Sequence, residues 1–335
     1  MKNMYKMTFL LLMMTGTMMT ISSNSWMMMW MGLEINLLSI IPLMSNIKNK
    51  MESEAAMKYF ITQAMASTVL LFAMIMMLSK TDTMKTMKMT SMMLDTAILT
   101  KMGAAPLHFW FPEVMEGLSW TNSMIMLTWQ KIAPMIIFSY STKPMMFTVI
   151  IIMMSMIVSG IMGINQTSMR KILAYSSINH IGWMLGAMLT NQTLWIIYFV
   201  IYTLMTINIT MMFKLLNIST MNQMINSMNK SKMTKIMFSL NFLSMGGIPP
   251  FIGFFPKWIT IYSMIKENMF MLTFLMIMMT LMTLAFYMRI TLAGGIMTST
   301  EMSTNNNKSN EHKIFIFNFI TLSLLATCPM MMSFI

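Results

Sequence analysis

The segment Ile172–Phe213 reads ILAYSSINHIGWMLGAMLTNQTLWIIYFVIYTLMTINITMMF and contains no Asp, Glu, Lys or Arg. A helix of about 20 apolar residues crosses the hydrocarbon core of a bilayer. This run is long enough for two, with Asn191-Gln192-Thr193 as a tight turn between them. On either side, charge-free stretches of span length recur at 7–33, 59–79, 144–169, 236–256, 268–288 and 314–335. Three more apolar segments carry isolated charges, around Glu34, Lys101 and Lys131. The pattern predicts an all-α polytopic membrane protein of about 11 transmembrane helices. They are expected near 5–22, 25–46, 57–79, 87–106, 118–140, 144–165, 171–190, 193–216, 235–265 (interrupted), 269–292 and 314–334.

Composition agrees. Of 335 residues, 56% are hydrophobic and only 10% charged, too few charges to cover a soluble surface of this size. A cytosolic enzyme and a disordered chain are both excluded. The one cysteine, Cys328, can supply neither an iron–sulfur cluster nor a disulfide framework. No dinucleotide or phosphate fingerprint occurs, so redox chemistry is expected on other chains. The 59 methionines are spread through every apolar run and read as bilayer-compatible filler rather than a metal path. With Arg170 and Arg289 the only arginines, this bias fits an AT-rich organelle genome that reads one isoleucine codon as Met.

Lysine and arginine in the loops set orientation. Lys2, Lys6, Lys48, Lys50, Lys58, Arg170, Lys171, Lys230, Lys232, Lys235, Arg289, Lys308 and Lys313 fall on the side of the amino terminus. Lys80, Lys85, Lys88, Lys143 and Lys266 fall opposite. The amino terminus is expected to face the matrix or cytoplasm, and the net charge of +12 is mostly a topology signal with no nucleic-acid partner behind it. The amino-terminal run is expected to stay as a helix rather than be removed as a signal peptide. Residues 297–313 read as a polar loop.

A charge in the hydrocarbon region costs about 2.5–3.5 kcal/mol on the mildest scale and normally faces a bundle interior or a wet cavity. Glu34, in SWMMMWMGLEINLLSIIP, lies midway along its span, where a short carboxylate cannot snorkel. Lys101, in DTAILTKMGAAPLHFWFPEV, precedes Gly103 and Pro106, so the helix should break just after it. Lys131, in MLTWQKIAPMIIF, is followed by Pro134, which should free backbone polarity beside the amine. Lys257 sits in LSMGGIPPFIGFFPKWITIY, whose glycines and prolines forbid an unbroken helix. Pro256 suits the first position of a new half-helix, which would put Lys257 near its positive dipole end.

His180, in LAYSSINHIGWML, is either a proton relay or a histidine bonded to Ser176 or Ser177. Lys214 reads as a snorkelling lysine, Glu113 and Glu116 as loop carboxylates, and Asp95 as a partner for a loop lysine. Broken spans five helices apart, the fourth and the ninth, point to a transporter built from repeats.

The strings WMGLEINLLSIIP, KMGAAPLHFWFPEV, LTWQKIAP, RKILAYSSINHIGWM and GGIPPFIGFFPKW, in order from about residue 20 to 290, closely resemble the NADH–ubiquinone oxidoreductase chain 2 family, antiporter-like membrane subunits of respiratory complex I. The resemblance implies two inverted five-helix repeats, about 5–140 and 144–292, in a single antiporter-like domain, plus a last helix near 314–334. It maps the broken-helix lysines to Lys101 and Lys257, the central lysine to Lys131 and the ion-pairing glutamate to Glu34. It implies a proton-translocating subunit of a mitochondrial inner-membrane NADH:ubiquinone reductase, with no redox active site or cofactor on this chain. NADH, FMN, iron–sulfur clusters and ubiquinone would then be held by other subunits. The implied partners are membrane-arm subunits and membrane lipids, with cardiolipin a candidate. Two other readings are a cation/proton antiporter subunit without redox partners, and a membrane scaffold with no proton path.

Overall fold

The computed structural model of the chain describes residues 2–46, 49–78, 84–141, 144–228 and 232–296. The expected last helix at 314–334, the loop 297–313 and Cys328 lie outside the described residues. All regular structure among the described residues is helical. In chain order the helices are α1 (Lys2–Ser22), α2 (Trp26–Met44), α3 (Lys50–Leu78), α4 (Met84–Met102), α5 (Trp110–Gly117), α6 (Trp120–Leu127) and α7 (Trp129–Tyr140). They are followed by α8 (Met145–Ile164), α9 (Met169–Thr190), α10 (Gln192–Leu216), α11 (Met221–Met228), α12 (Lys232–Gly246), α13 (Phe254–Lys266) and α14 (Phe270–Ile296).

Six of these are long and apolar enough to cross a bilayer: α1, α2, α3, α8, α10 and α14. Their outward faces are apolar, as with Met57, Phe60, Ile61 and Met65 on α3. In water such a surface would be untenable, whereas lipid tails solvate it at no cost. Among the described residues, the other expected spans are too polar or too interrupted to stand out in this way. The span expected at 118–140 is the clearest difference. It is divided into α6 and α7 at Thr128, and α5 precedes it as a separate short helix. Pro134 lies inside α7, so the interruption falls one turn and more before the proline. The Thr128 hydroxyl donates to the Met124 carbonyl at 2.8 Å and the Lys131 amide to the Thr128 carbonyl at 3.3 Å. The Met124 carbonyl also accepts the Thr128 amide at 3.1 Å, so the helical bonding of α6 runs up to the break.

The chain divides into two compact units between Ile151 and Ile152. In the first, α1 lies against α2 at a crossing made by Gly16 and Gly32. A Cβ on Gly32 would lie 2.8 Å from the Gly16 carbonyl oxygen and 2.5 Å from the Thr20 methyl. In lipid no hydrophobic force drives helices together, so close backbone approach at small residues is what holds such a pair. The α3 helix packs against α2, α4 and α5, with the Trp30 indole donating to the Ser67 carbonyl at 3.2 Å. The α7 helix packs against α4 and α1. Glu34, Lys101 and Lys131 are thereby carried on neighbouring helices.

In the second unit α9 is the centre, with α10, α13 and α14 around it. From Met169 to Met188, only Arg170 and Lys171 escape full burial. An all-round buried helix need not present an apolar face to lipid. That explains how α9 carries Ser176, Ser177, Asn179 and His180 in one turn and a half.

Candidate functional site

Three lysines are buried, with relative exposures of 8% for Lys101, 2% for Lys131 and 5% for Lys257. Each stands at an interruption of a helix. The α4 helix ends at Met102, one residue beyond Lys101. Gly103 then takes φ +76°, a left-handed conformation that a side chain would strain. The Gly103 and Ala104 amides return to the Leu99 carbonyl, and the Trp110 indole takes the Thr100 carbonyl at 3.1 Å. Lys101 therefore occupies the last turn of a half-helix, where the dipole favours a cation. Lys131 follows the Thr128 break, and its amine lies 5.6 Å from the centre of the Phe111 ring.

Lys257 differs from the sequence expectation in one respect. Pro256 is the third residue of α13 rather than the first. The amine reaches back across the interruption and donates to the Gly246 carbonyl at 2.8 Å, at the end of α12. It thus rests on the negative end of the preceding half-helix. Gly247, at φ +78°, makes room, since a Cβ there would lie 2.8 Å from the Lys257 Nζ.

Glu34 is half-buried on α2, and its Oε1 is buried without a hydrogen-bond partner. It forms no direct ion pair with Lys101. His180 finds a partner beyond its own helix. Its Nδ1 meets the Tyr198 hydroxyl of α10 at 2.9 Å, and the Ser176 and Ser177 hydroxyls donate to the Leu173 and Ala174 carbonyls. Tyr202 stacks obliquely on the same imidazole, its ring centre 4.9 Å away. Of the other charges, Lys214 is exposed in the last turn of α10. Glu113 pairs with Lys58 at 2.6 Å on the exposed surface, where such a bond adds little stability. Asp95 is fully buried in α4.

Sequence reasoning missed the neutral polar groups around these charges. Asn36 and Gln130 exchange two side-chain hydrogen bonds, Asn36 Nδ2 to Gln130 Oε1 at 2.9 Å and Gln130 Nε2 to Asn36 Oδ1 at 3.0 Å. The Tyr59 hydroxyl approaches the same Gln130 Oε1 at 3.5 Å. These three residues, with Lys101, Gln63, Leu33, Leu37 and Pro134, line a cavity of about 20 Å³, room for one water. The available signal was positional: Asn36 is two residues after Glu34, and Gln130 immediately precedes Lys131.

The sequence profile described as NADH:quinone oxidoreductase/Mrp antiporter, TM, matches residues 23–283. The chain belongs to this family. It is 44% identical to the NADH-ubiquinone oxidoreductase chain 2 of Anopheles gambiae, over 96% of each chain. It is 46% identical to that of Locusta migratoria, over 90% of this chain and 88% of the relative. With that of Loxodonta africana it shares 39% identity over 94% of each. Among solved structures, a chain of respiratory complex I from Thermus thermophilus with bound aureothin superposes with a TM-score of 0.85. It shares 21% identity, over 96% of this chain and 78% of that one. A chain of the Mrp complex from Dietzia superposes with a TM-score of 0.76 at 17% identity, over 89% and 61%. These two likenesses establish the antiporter-like helical membrane fold.

Proposed function

We propose that this chain is a proton-translocating membrane subunit of a respiratory NADH:ubiquinone oxidoreductase, with Glu34, Lys101, Lys131, Lys257 and His180 as its proton-transfer groups. The observation that carries the reading is that Lys101, Lys131 and Lys257 are all buried and all stand at helix interruptions. A buried amine costs too much to keep as filler, and a broken helix supplies the polar backbone that lets it hold or release a proton. The names of the relatives favour a complex I subunit over an antiporter without redox partners.

In the first unit, Lys101 carries a proton while Glu34 stabilises the ammonium. Closing the gap between them to about 4 Å would stabilise the charged amine by about 4 kcal/mol at an effective dielectric of about 20. Moving one charge through the membrane potential costs about 2.3 kcal/mol per 100 mV. Approach and withdrawal of the carboxylate is therefore a large enough switch to push a proton from Lys101 toward Lys131. In the second unit, Lys257 and His180 serve as further stations. His180 can donate at one ring nitrogen while accepting at the other.

The same reading gives about 11 transmembrane helices in two inverted five-helix repeats, about 5–140 and 144–292. It places the chain in the mitochondrial inner membrane with its amino terminus on the matrix side. Neighbouring membrane-arm subunits and lipids such as cardiolipin are its partners. NADH, FMN, iron–sulfur clusters and ubiquinone belong to other subunits, and the driving energy comes from them.

The deciding experiment reconstitutes the assembled complex in vesicles and compares protons pumped per NADH oxidised. Lys131→Ala is expected to lower that ratio, and an unchanged ratio overturns the proton path. Purification of the chain without flavin and iron–sulfur subunits would favour the antiporter reading.

A further inference from the structure

Lys101 shares a small cavity with a doubly hydrogen-bonded pair of amides, Asn36 of α2 and Gln130 of α7, the helix that bears Lys131. Neither side chain can carry a proton, since an amide is neither an acid nor a base in the working range. Yet the pair occupies costly ground. Both side chains are buried, they join helices 94 residues apart in sequence, and they line the same small cavity as Lys101. Lys131 does not line that cavity, but its chain neighbour Gln130 does. A pair used only to fasten α2 to α7 would have no need of further polar groups. Here the Tyr59 hydroxyl already leans on Gln130 at 3.5 Å. Across the cavity, Gln63 presents a buried amide nitrogen without a partner, on a side chain that is 4% exposed. Such a donor, left unsatisfied, costs roughly as much as a lost hydrogen bond, and water is the ligand it fits.

We propose that the Asn36–Gln130 pair is a gate on proton passage between Lys101 and Lys131. Closed, the two amides satisfy each other and wall the cavity on the α7 side. Open, their freed donors and acceptors, with Tyr59 and Gln63, hold water in line. The Lys101 ammonium then gives its proton to that water, and a proton passes from the water to the neutral Lys131 amine. The charge leaves one amine and arrives on the other, with the water unchanged. The placement also explains the coupling. Glu34 and Asn36 share α2, and Gln130 adjoins Lys131 on α7, so a shift of α2 that changes the distance from Glu34 to Lys101 also moves the gate. This inference rests on the proton-path reading above.

The test uses the assembled complex in vesicles, read by passive proton leak without NADH and by protons pumped per NADH. Asn36→Ala and Gln130→Ala each remove both bonds of the pair. Each is expected to raise the leak roughly tenfold, the shift in open population that two lost hydrogen bonds bring. The exchanged pair Asn36→Gln with Gln130→Asn rebuilds the contact and should return the leak to the parent level. A leak unchanged in both single variants overturns the gate, as does a loss of pumping without any leak. Where the single variants do not assemble, Gln63→Leu dries the cavity with the pair intact. It should lower pumping without raising the leak, and unchanged pumping overturns the proposal. Lys131→Ala in the same vesicles separates the two levels. If it leaves pumping intact, the proton path itself fails; if it lowers pumping while Asn36→Ala leaks no more than the parent, only the gate falls.

Discussion

A lysine in oil has few excuses, and this is why the buried amines could be read from sequence. Lys101, Lys131 and Lys257 each interrupt an apolar run beside glycine or proline, and no surface role explains them. What they touch was not legible. The bond from Lys257 to the Gly246 carbonyl follows from how two half-helices meet, not from any spacing in the chain. Gly247→Ala tests that geometry. A side chain at φ +78° costs about 1–2 kcal/mol, and its Cβ would collide with the amine itself. We expect a lowered melting temperature of the purified complex and a lowered pumping ratio, whereas Gly246→Ala, with ordinary van der Waals clearance, should be mild. His180 gives a second residue-scale prediction. Tyr198→Phe removes the hydroxyl that meets Nδ1 at 2.9 Å. It should cost about 1–3 kcal/mol in thermal unfolding and slow proton delivery, measured as pumping per NADH. Position beside Glu34 and Lys131 was the only mark that Asn36 and Gln130 carried in the sequence, and their pairing follows only once α2 and α7 are brought together.

Among the elements, long uninterrupted helices were the easiest to read and interrupted ones the hardest. The observed bounds of α2, α8 and α10 lie close to expectation because apolar length and flanking polar residues agree there. The break at Thr128 escaped notice because proline marks a disturbance without saying on which turn the backbone yields. The short α11 was also unanticipated, being too brief for periodicity to speak. The α1–α2 crossing carries its own prediction. Gly32→Val would drive a branched side chain into the Thr20 methyl and the Gly16 carbonyl. Overpacking of this kind costs about 1–3 kcal/mol, and it should reduce the yield of assembled complex. Because α2 carries both Glu34 and Asn36, a surviving fraction should also pump less per NADH.

For the whole molecule, composition alone separates a membrane chain from a soluble one, and loop lysines propose its direction. The expected orientation can be checked by attaching an epitope to the amino terminus in an import-competent system. Antibody should reach it only after the inner membrane is opened, and labelling of intact mitoplasts would reverse the assignment. The burial of α9 has a consequence for how the chain is made. Its serines, Asn179 and His180 are shielded by α10, α13 and α14, and the last two emerge from the ribosome well after α9 itself. Until they arrive, the insertion machinery must shelter a polar helix that lipid would reject. Biosynthesis should therefore stall at a half-built intermediate whenever translation ends early, and a chain stopped at Leu216 should be cleared by proteases rather than accumulate.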